Sequence, residues 1–460
     1  MSVLNGTVNV SDHAIEFAAA LGLICVTATI GLFRRRQPNP VLFHNAAWIG
    51  SFTLLSLGWV DYIPIGGSAW LIILAGILAF NLGALTPSIF ERPKSQIVPV
   101  RIDIPGAQTI VPLLFLVGFA WYLLNLSSVF GLSNVIFHPG SVRSTQFTTD
   151  YVTSFALPGR LLYSLGPLVV VTYACPWLVN IRVSKFRRAA VLVATVIAMS
   201  LSLGRTYIFI SLVWTTSCYF IYQPQGLVQL KNRVLARRTK FRRRLVIVFG
   251  AVLAIASFQL LAAELGKTEG NNGYILPYTS WPLTASPFTS VYVYSTGGVP
   301  AFASEVAGSS PIEGPPDPSG KLGWATFYPF VKSIPGWEAA PLIRPFNGIP
   351  FAFNAYTWFD PLYRDFGFVG VLVGPYALGT LVALLIVRKR RTAEGALFSG
   401  LLLTVTLFAP FISKFNDPAI WDVSLALLVL RLWPRGRMKN QATDGQSLEV
   451  VAINSVSGSS

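Results

Sequence analysis

The residues best equipped for chemistry crowd into one stretch, Phe353 to Gly379 (FNAYTWFDPLYRDFGFVGVLVGPYALG). It begins polar and aromatic, with Thr357, Asp360, Arg364 and Asp365. It then becomes an apolar run that reaches Val387 and stops at Arg388-Lys389-Arg390-Arg391. An arginine–aspartate pair held where water gives way to hydrocarbon is costly to keep, so such pairs usually serve a function. Asp365 has two readings. It is a general base for a hydroxyl within hydrogen-bond reach, or a carboxylate that pairs with Arg364 or caps its helix at the positive end. Glu338, Asp360 and His138 are the other candidate bases. Gly370 and Gly374 form a Gly-xxx-Gly step that lets another helix approach closely.

These residues need a scaffold that holds them at an interface, and the composition supplies one. Of 460 residues, 53% are hydrophobic and 12% charged, about half the charge of a soluble domain. Mean hydropathy is +0.57, and apolar runs of roughly twenty residues recur, as a multi-spanning α-helical membrane protein requires. The ten-residue alternation of a β-barrel is not seen. Cys25, Cys175 and Cys218 all lie inside apolar runs and read as small packing residues.

Eleven spans are expected, within a range of ten to twelve, making an all-α polytopic protein. The first, Ala14 to Phe33, carries its Arg34-Arg35-Arg36 after the apolar core rather than before it, so it reads as an anchor with an outer N-terminus. The next are 41–60, 68–85, 108–131, 157–179, 189–203, 206–222, 245–263, 363–387, 396–412 and 419–433. Gly204-Arg205 alone separates the sixth and seventh, a tight hairpin at the outer interface. The domains are then 1–263 (helices one to eight), 264–358 (a large outer loop), 359–433 (helices nine to eleven) and 434–460 (a disordered cytoplasmic tail). This arrangement puts 26 of the 35 Lys and Arg residues inside and 14 of the 19 acids outside, as the positive-inside rule demands. The basic loops, among them Lys231–Arg244, thus serve orientation and anionic lipid. Nucleic acid is not expected as a partner, because no folded reading element accompanies the basic run. No acid is read deep inside a span.

The loop 264–358 is too aromatic for disorder, and loops of that length are normally functional. Residues 287–302 and 322–334 read as short interfacial helices, with a Pro/Gly hinge at 311–320 between them.

Several pieces together resemble a family. NAYTWFDPLYRDFGFVG is similar to the Thr…Asp-Phe-Gly-x-x-Gly signature of bacterial oligosaccharide repeat-unit polymerases, the Wzy-type O-antigen and exopolysaccharide polymerases. Arg36-Gln37-Pro38-Asn39-Pro40 resembles the family's early Asn-Pro element, Leu203-Gly204-Arg205-Thr206 its Gly-x-Arg-Thr hairpin, and Leu322-Gly323-Trp324-Ala325-Thr326-Phe327 its Gly-x-x-Thr-Phe step. The likeness covers about residues 35 to 390 and keeps the family's order.

The resemblance implies a metal-independent, cofactor-free membrane glycosyltransferase facing the periplasm of the inner membrane. A hydroxyl of one undecaprenyl-pyrophosphate-linked repeat unit attacks the anomeric carbon of a growing chain on another, and undecaprenyl pyrophosphate leaves. A flippase and a chain-length regulator are the partners it implies, beside membrane lipids. A diphosphate leaving group calls for arginine, whose planar fork stays charged and binds phosphate oxygens in pairs. Arg205, Arg344 and Arg364 are the candidates at the reaction centre with Asp365. Arg143, His138, Thr357, Tyr356 and Trp358 are candidates for substrate contact, the aromatic rings by stacking on sugar faces. Arg160 reads as an interface anchor. An O-antigen ligase shares this chemistry, and a lipid-linked oligosaccharide flippase is the alternative from another class. The latter predicts internal repeats and broken helices at the midplane, and no internal repeat is evident.

Overall fold

The computed structural model describes residues 13–33, 40–90, 108–138, 142, 157–176, 178, 183–200, 206–221, 275–280, 283, 288–308, 325–331, 346–386 and 393–432. Of these described residues 79% are helical, an α-helical architecture of the membrane type. Among the described residues, four helices are long and apolar enough to cross a bilayer, within Ala14–Leu32, Gly67–Pro87, Ile110–Phe130 and Phe359–Leu384. Leu161–Ala174, Tyr207–Tyr219, Glu394–Leu407 and Pro418–Val429 are shorter apolar stretches. The expected eighth span, 245–263, lies outside the described residues.

The helices run α1 (Ala14–Phe33), α2 (Pro40–Leu55), α3 (Gly67–Phe90), α4 (Ile110–Phe130), α5 (Leu132–Phe137), α6 (Leu157–Tyr163), α7 (Gly166–Ala174), α8 (Lys185–Ser200) and α9 (Thr206–Ile221). After the long loop come α10 (Thr289–Thr296), α11 (Gly298–Val306), α12 (Tyr328–Val331), α13 (Phe359–Leu384), α14 (Ala393–Leu407) and α15 (Pro418–Leu432). A two-residue β-hairpin, β1 (Asn347–Gly348) with β2 (Ala352–Phe353), precedes α13.

The tightest pairing is α3 against α13, and small residues explain it. A Cβ on Gly83 would overlap the Tyr376 carbonyl oxygen, and one on Gly379 would sit 2.9 Å from the Ala84 nitrogen. Backbones that close let the Thr380 hydroxyl donate to the Gly83 carbonyl at 3.1 Å. Between α9 and α14, Gly400 accommodates Cys218, and the Trp214 indole donates to the Leu397 carbonyl at 2.8 Å. Cys175 and Cys218 are buried free thiols, as packing residues should be; Cys25 is exposed.

Three elements depart from expectation. The fifth span breaks at Ser164-Leu165 into α6 and α7, because Pro167 has no N–H to continue the ladder. The 287–302 helix is two helices, meeting at Gly297. Of 322–334, only Tyr328–Val331 is a helix among the described residues.

The described parts of the long loop pack against the bundle. The Tyr292 hydroxyl donates to the Leu54 carbonyl at 2.7 Å and accepts from the Trp59 N–H at 3.3 Å. The Tyr62 and Thr296 hydroxyls lie 2.7 Å apart, and Ser51 donates to the Ser295 carbonyl. A small core of Val60, Tyr292, Val293, Ile349 and Phe351 sits beneath. Tyr62, in the α2–α3 connection, and Tyr292, in α10, lie outside the spanning segments. Burial pushes both hydroxyls well above the usual 10.0, more than their hydrogen bonds pull them back. The unfolded chain ionises these phenols near about pH 10, and the native state resists doing so. The stability they contribute is therefore whole below that pH and is lost as pH rises past it. Tyr62→Phe with Tyr292→Phe should reduce the fall in melting temperature between neutral and strongly alkaline pH, with tyrosinate absorbance marking the ionisation.

Candidate functional site

The site is built where α13 begins. Its first turn is preceded by Tyr356, Thr357 and Trp358, which the sequence placed at an interface and the fold buries, leaving each no more than 3% exposed. The Trp358 N–H donates to the Ala409 carbonyl at 2.8 Å, tying this segment to the turn after α14. The Trp358 ring lies 5.5 Å from the His44 ring and 5.9 Å from Phe80. His44 stacks on Phe80 at 4.0 Å and accepts the Trp48 indole N–H at its Nε2, 3.1 Å away. That contact places the imidazole proton on Nδ1, facing Asn45 Oδ1 at 3.1 Å. This aromatic wall holds Trp358 in one orientation.

The helix itself starts at Phe359, four residues before the expected span. It breaks at Gly367, whose φ of 60° and ψ of −151° are open to glycine but not to residues with a Cβ. The break folds the 359–366 segment back along 368–384. A Cβ on Gly374 would lie 2.8 Å from Leu362 Cδ2, and one on Gly370 would meet the Leu362 carbonyl oxygen. The close partner of the Gly-xxx-Gly step is therefore this segment of the same chain. Gly367→Ala should cost about 1–2 kcal/mol through left-handed strain, read as a lower melting temperature of the detergent-solubilised protein.

Asp365 sits just before that break, half-buried, six positions after the first residue of α13. Its two carboxylate oxygens accept backbone N–H groups from forty residues upstream: Oδ2 from Thr326 at 2.7 Å and Oδ1 from Ala325 at 3.3 Å. The Thr326 hydroxyl returns a bond to the Pro361 carbonyl at 3.0 Å, and the Asn416 amide holds the Ala325 carbonyl at 3.3 Å. The Asp-Phe-Gly element and the Ala325-Thr326 part of the Gly-x-x-Thr-Phe element thus meet in space. With both oxygens accepting, Asp365 anchors the 325–326 segment to α13.

Below the joint a groove of about 460 Å³ runs down α13, lined by Leu362, Val369, Val373, Ala377 and Leu381, with Trp358, Thr326, Ser413 and Phe415 at its head. Val369 to Leu381 is about 18 Å of helix. Val369 and Val373 are 64% and 60% exposed, so the groove opens sideways from the bundle. Two polar groups at its head, the Trp358 indole nitrogen and the Ser413 hydroxyl, are buried without a hydrogen-bond partner. An orphaned donor costs about 1–3 kcal/mol, and both would be satisfied by a ligand with acceptor oxygens. The Thr357 hydroxyl is likewise buried and unpartnered. Lys414 pairs with Asp417 at 2.9 Å on the same turn.

The other expected residues divide. Arg364 is half-buried beside Asp365 on α13. His138 caps α5, exposed, in a separate cluster of α4 and α5 around Leu126, Val135 and Val142. Arg143, Arg205, Arg344 and Glu338 lie outside the described residues, and so does the side chain of Arg160. Asp360 is buried in the first turn of α13, where a carboxylate complements the helix dipole. No group of three His, Cys, Asp or Glu side chains suited to a metal ion occurs among the described residues. Sequence reading missed Ser413, which carried no motif, and Asp422. The latter is a buried acid in the second turn of α15, inside a stretch expected to hold none. Its signal was plain, since it is the sole charge between Pro418 and Leu430. No family model, curated protein or solved structure matches this chain.

Proposed function

We propose that the protein polymerises undecaprenyl-pyrophosphate-linked oligosaccharide repeat units into a surface polysaccharide, at the periplasmic face of the inner membrane, through an eleven-span fold. The observation that carries this reading is the Asp365 joint. It sets two separated pieces of the polymerase-like pattern over the head of a membrane-open groove whose buried donors lack partners. The groove suits a polyprenyl chain, and the Trp358 indole and Ser413 hydroxyl suit diphosphate oxygens. In the reaction an acceptor hydroxyl oxygen bonds to the anomeric carbon while that carbon's bond to the diphosphate oxygen breaks. The hydroxyl proton goes to a base, and the electron pair leaves with the polyprenyl diphosphate. Charge builds on the departing diphosphate, so donors already fixed there favour the transition state over the ground state. Arg205 and Arg344 add cationic charge to the same leaving group in this reading.

The test uses purified protein in lipid nanodiscs with its lipid-linked repeat unit, read as glycan ladders on gels. Arg205→Ala and Arg344→Ala should each shorten or erase the ladder while the protein keeps its melting temperature. Ladders unchanged in both variants would reduce those arginines to membrane anchors.

A further inference from the structure

The Trp358 indole borders an imidazole and yet makes no hydrogen bond to it. An imidazole nitrogen is a good acceptor, and the two ring centroids are 5.5 Å apart, but Trp358 Nε1 has no partner among the described residues. Both His44 nitrogens are already engaged. Nε2 accepts the Trp48 indole N–H at 3.1 Å, and Nδ1 faces Asn45 Oδ1, also at 3.1 Å. The Asn45 amide donates in turn to the Thr27 hydroxyl at 2.8 Å, and that hydroxyl donates to the Leu23 carbonyl at 2.7 Å. The bonds run one way, from Trp48 through His44 and Asn45 on α2 to the backbone of α1.

Such a chain is costly to bury. His44, Asn45 and Trp48 are wholly buried, and Thr27 is 9% exposed. Apolar side chains of similar volume would fill the space without taking polar groups out of water, often at no loss of stability. What a fully satisfied network adds is a single geometry. The Trp48 ring, held by its bond to His44, stacks on Phe359 at 5.3 Å and 17°. The His44 ring stacks on Phe80 and borders Trp358. Trp358 and Phe359 are therefore flanked by the two partners of one hydrogen bond, where α13 begins and the 460 Å³ groove has its head.

We infer that His44 and Trp48 are positioning residues for this groove, and that the bond between them reserves the Trp358 N–H for an acceptor oxygen of the bound ligand. With Nε2 occupied, the imidazole cannot accept the indole N–H, so the donor stays open at the groove head. This rests on the polymerase reading only for the ligand, whose oxygen is then a lipid diphosphate's.

Native mass spectrometry of the full chain, titrated with sugar-free undecaprenyl diphosphate, tests it through Trp48→Phe, which keeps a ring over Phe359 and frees His44 Nε2. Affinity should fall about tenfold, the equivalent of one hydrogen bond lost to the ligand. Trp358→Phe should fall as far, and the double variant no further, because the first change acts through the second residue. A purely structural loss would instead add to that of Trp358→Phe. Asn45→Leu, which releases the other imidazole nitrogen, should repeat the pattern and takes the place of Trp48→Phe if that variant does not fold. Unaltered affinity in Trp358→Phe, in folded Trp48→Phe or in Asn45→Leu would overturn the inference, as would additive losses or a wild type that binds no lipid. Glycan ladders from wild type together with additive losses would leave the polymerase reading standing without this role. Coupled losses with no ladder would remove the polymerase reading and keep the role.

Discussion

If the protein polymerises glycans as proposed, Asp365→Ala should cut polymer formation at least about a hundredfold, while the helical bundle stays folded. The carboxylate accepts two backbone N–H groups of the 325–326 segment. Charge-assisted bonds of this kind contribute roughly 1.5–3 kcal/mol each, and each 1.36 kcal/mol of lost positioning is about tenfold in rate. The damage falls on the head of the groove, because Thr326 lines it and holds the Pro361 carbonyl. Asp365→Asn, which keeps one acceptor oxygen, should lie between wild type and alanine. If Asp365 were the general base, asparagine would be as inactive as alanine, so the ranking of the two variants separates anchor from base. Ladder assays with circular dichroism on each variant make the comparison.

The second large effect concerns folding. Gly83→Leu should prevent accumulation of folded protein, because even a Cβ at that position overlaps the Tyr376 backbone. Backbone cannot yield as a flexible side chain does, so α3 and α13 must separate. Their separation would break the Thr380–Gly83 bond and the Thr86–Tyr376 contact at 3.1 Å. Overpacking usually costs about 1–3 kcal/mol, and here the obstacle is main chain, so a value above that range is expected. Gly22→Leu, a position open around its Cβ, is the matched control. Size-exclusion profiles and thermal melts of both variants should differ sharply, with the control close to wild type.

Much of this was legible in the chain because hydrocarbon is a strict solvent. Apolar runs closed by Arg34-Arg35-Arg36 or Arg388–Arg391 can do little but form helices that end at a membrane surface. Glycine spacing announced close packing at 370 and 374, yet not its partner, since the fold-back at Gly367 depends on a φ that no pattern displays. The break before Pro167 was signalled by proline and overlooked among its apolar neighbours. The Asp365 joint was out of reach for a different reason. Its partners are backbone N–H groups, which every residue but proline carries, so nothing in the side-chain sequence marks Ala325 and Thr326 as their source. The burial of Trp358 likewise follows from His44 and Phe80 on other helices, more than 270 residues earlier.

The most direct measurement follows leaving group and product together. Purified wild-type protein in nanodiscs would receive its lipid-linked repeat unit, and chain length and free undecaprenyl diphosphate would be quantified over time. The polymerase reading predicts one free undecaprenyl diphosphate for each glycosidic bond formed. Substrate that crosses the bilayer intact, with neither a ladder nor free diphosphate lipid, would contradict it.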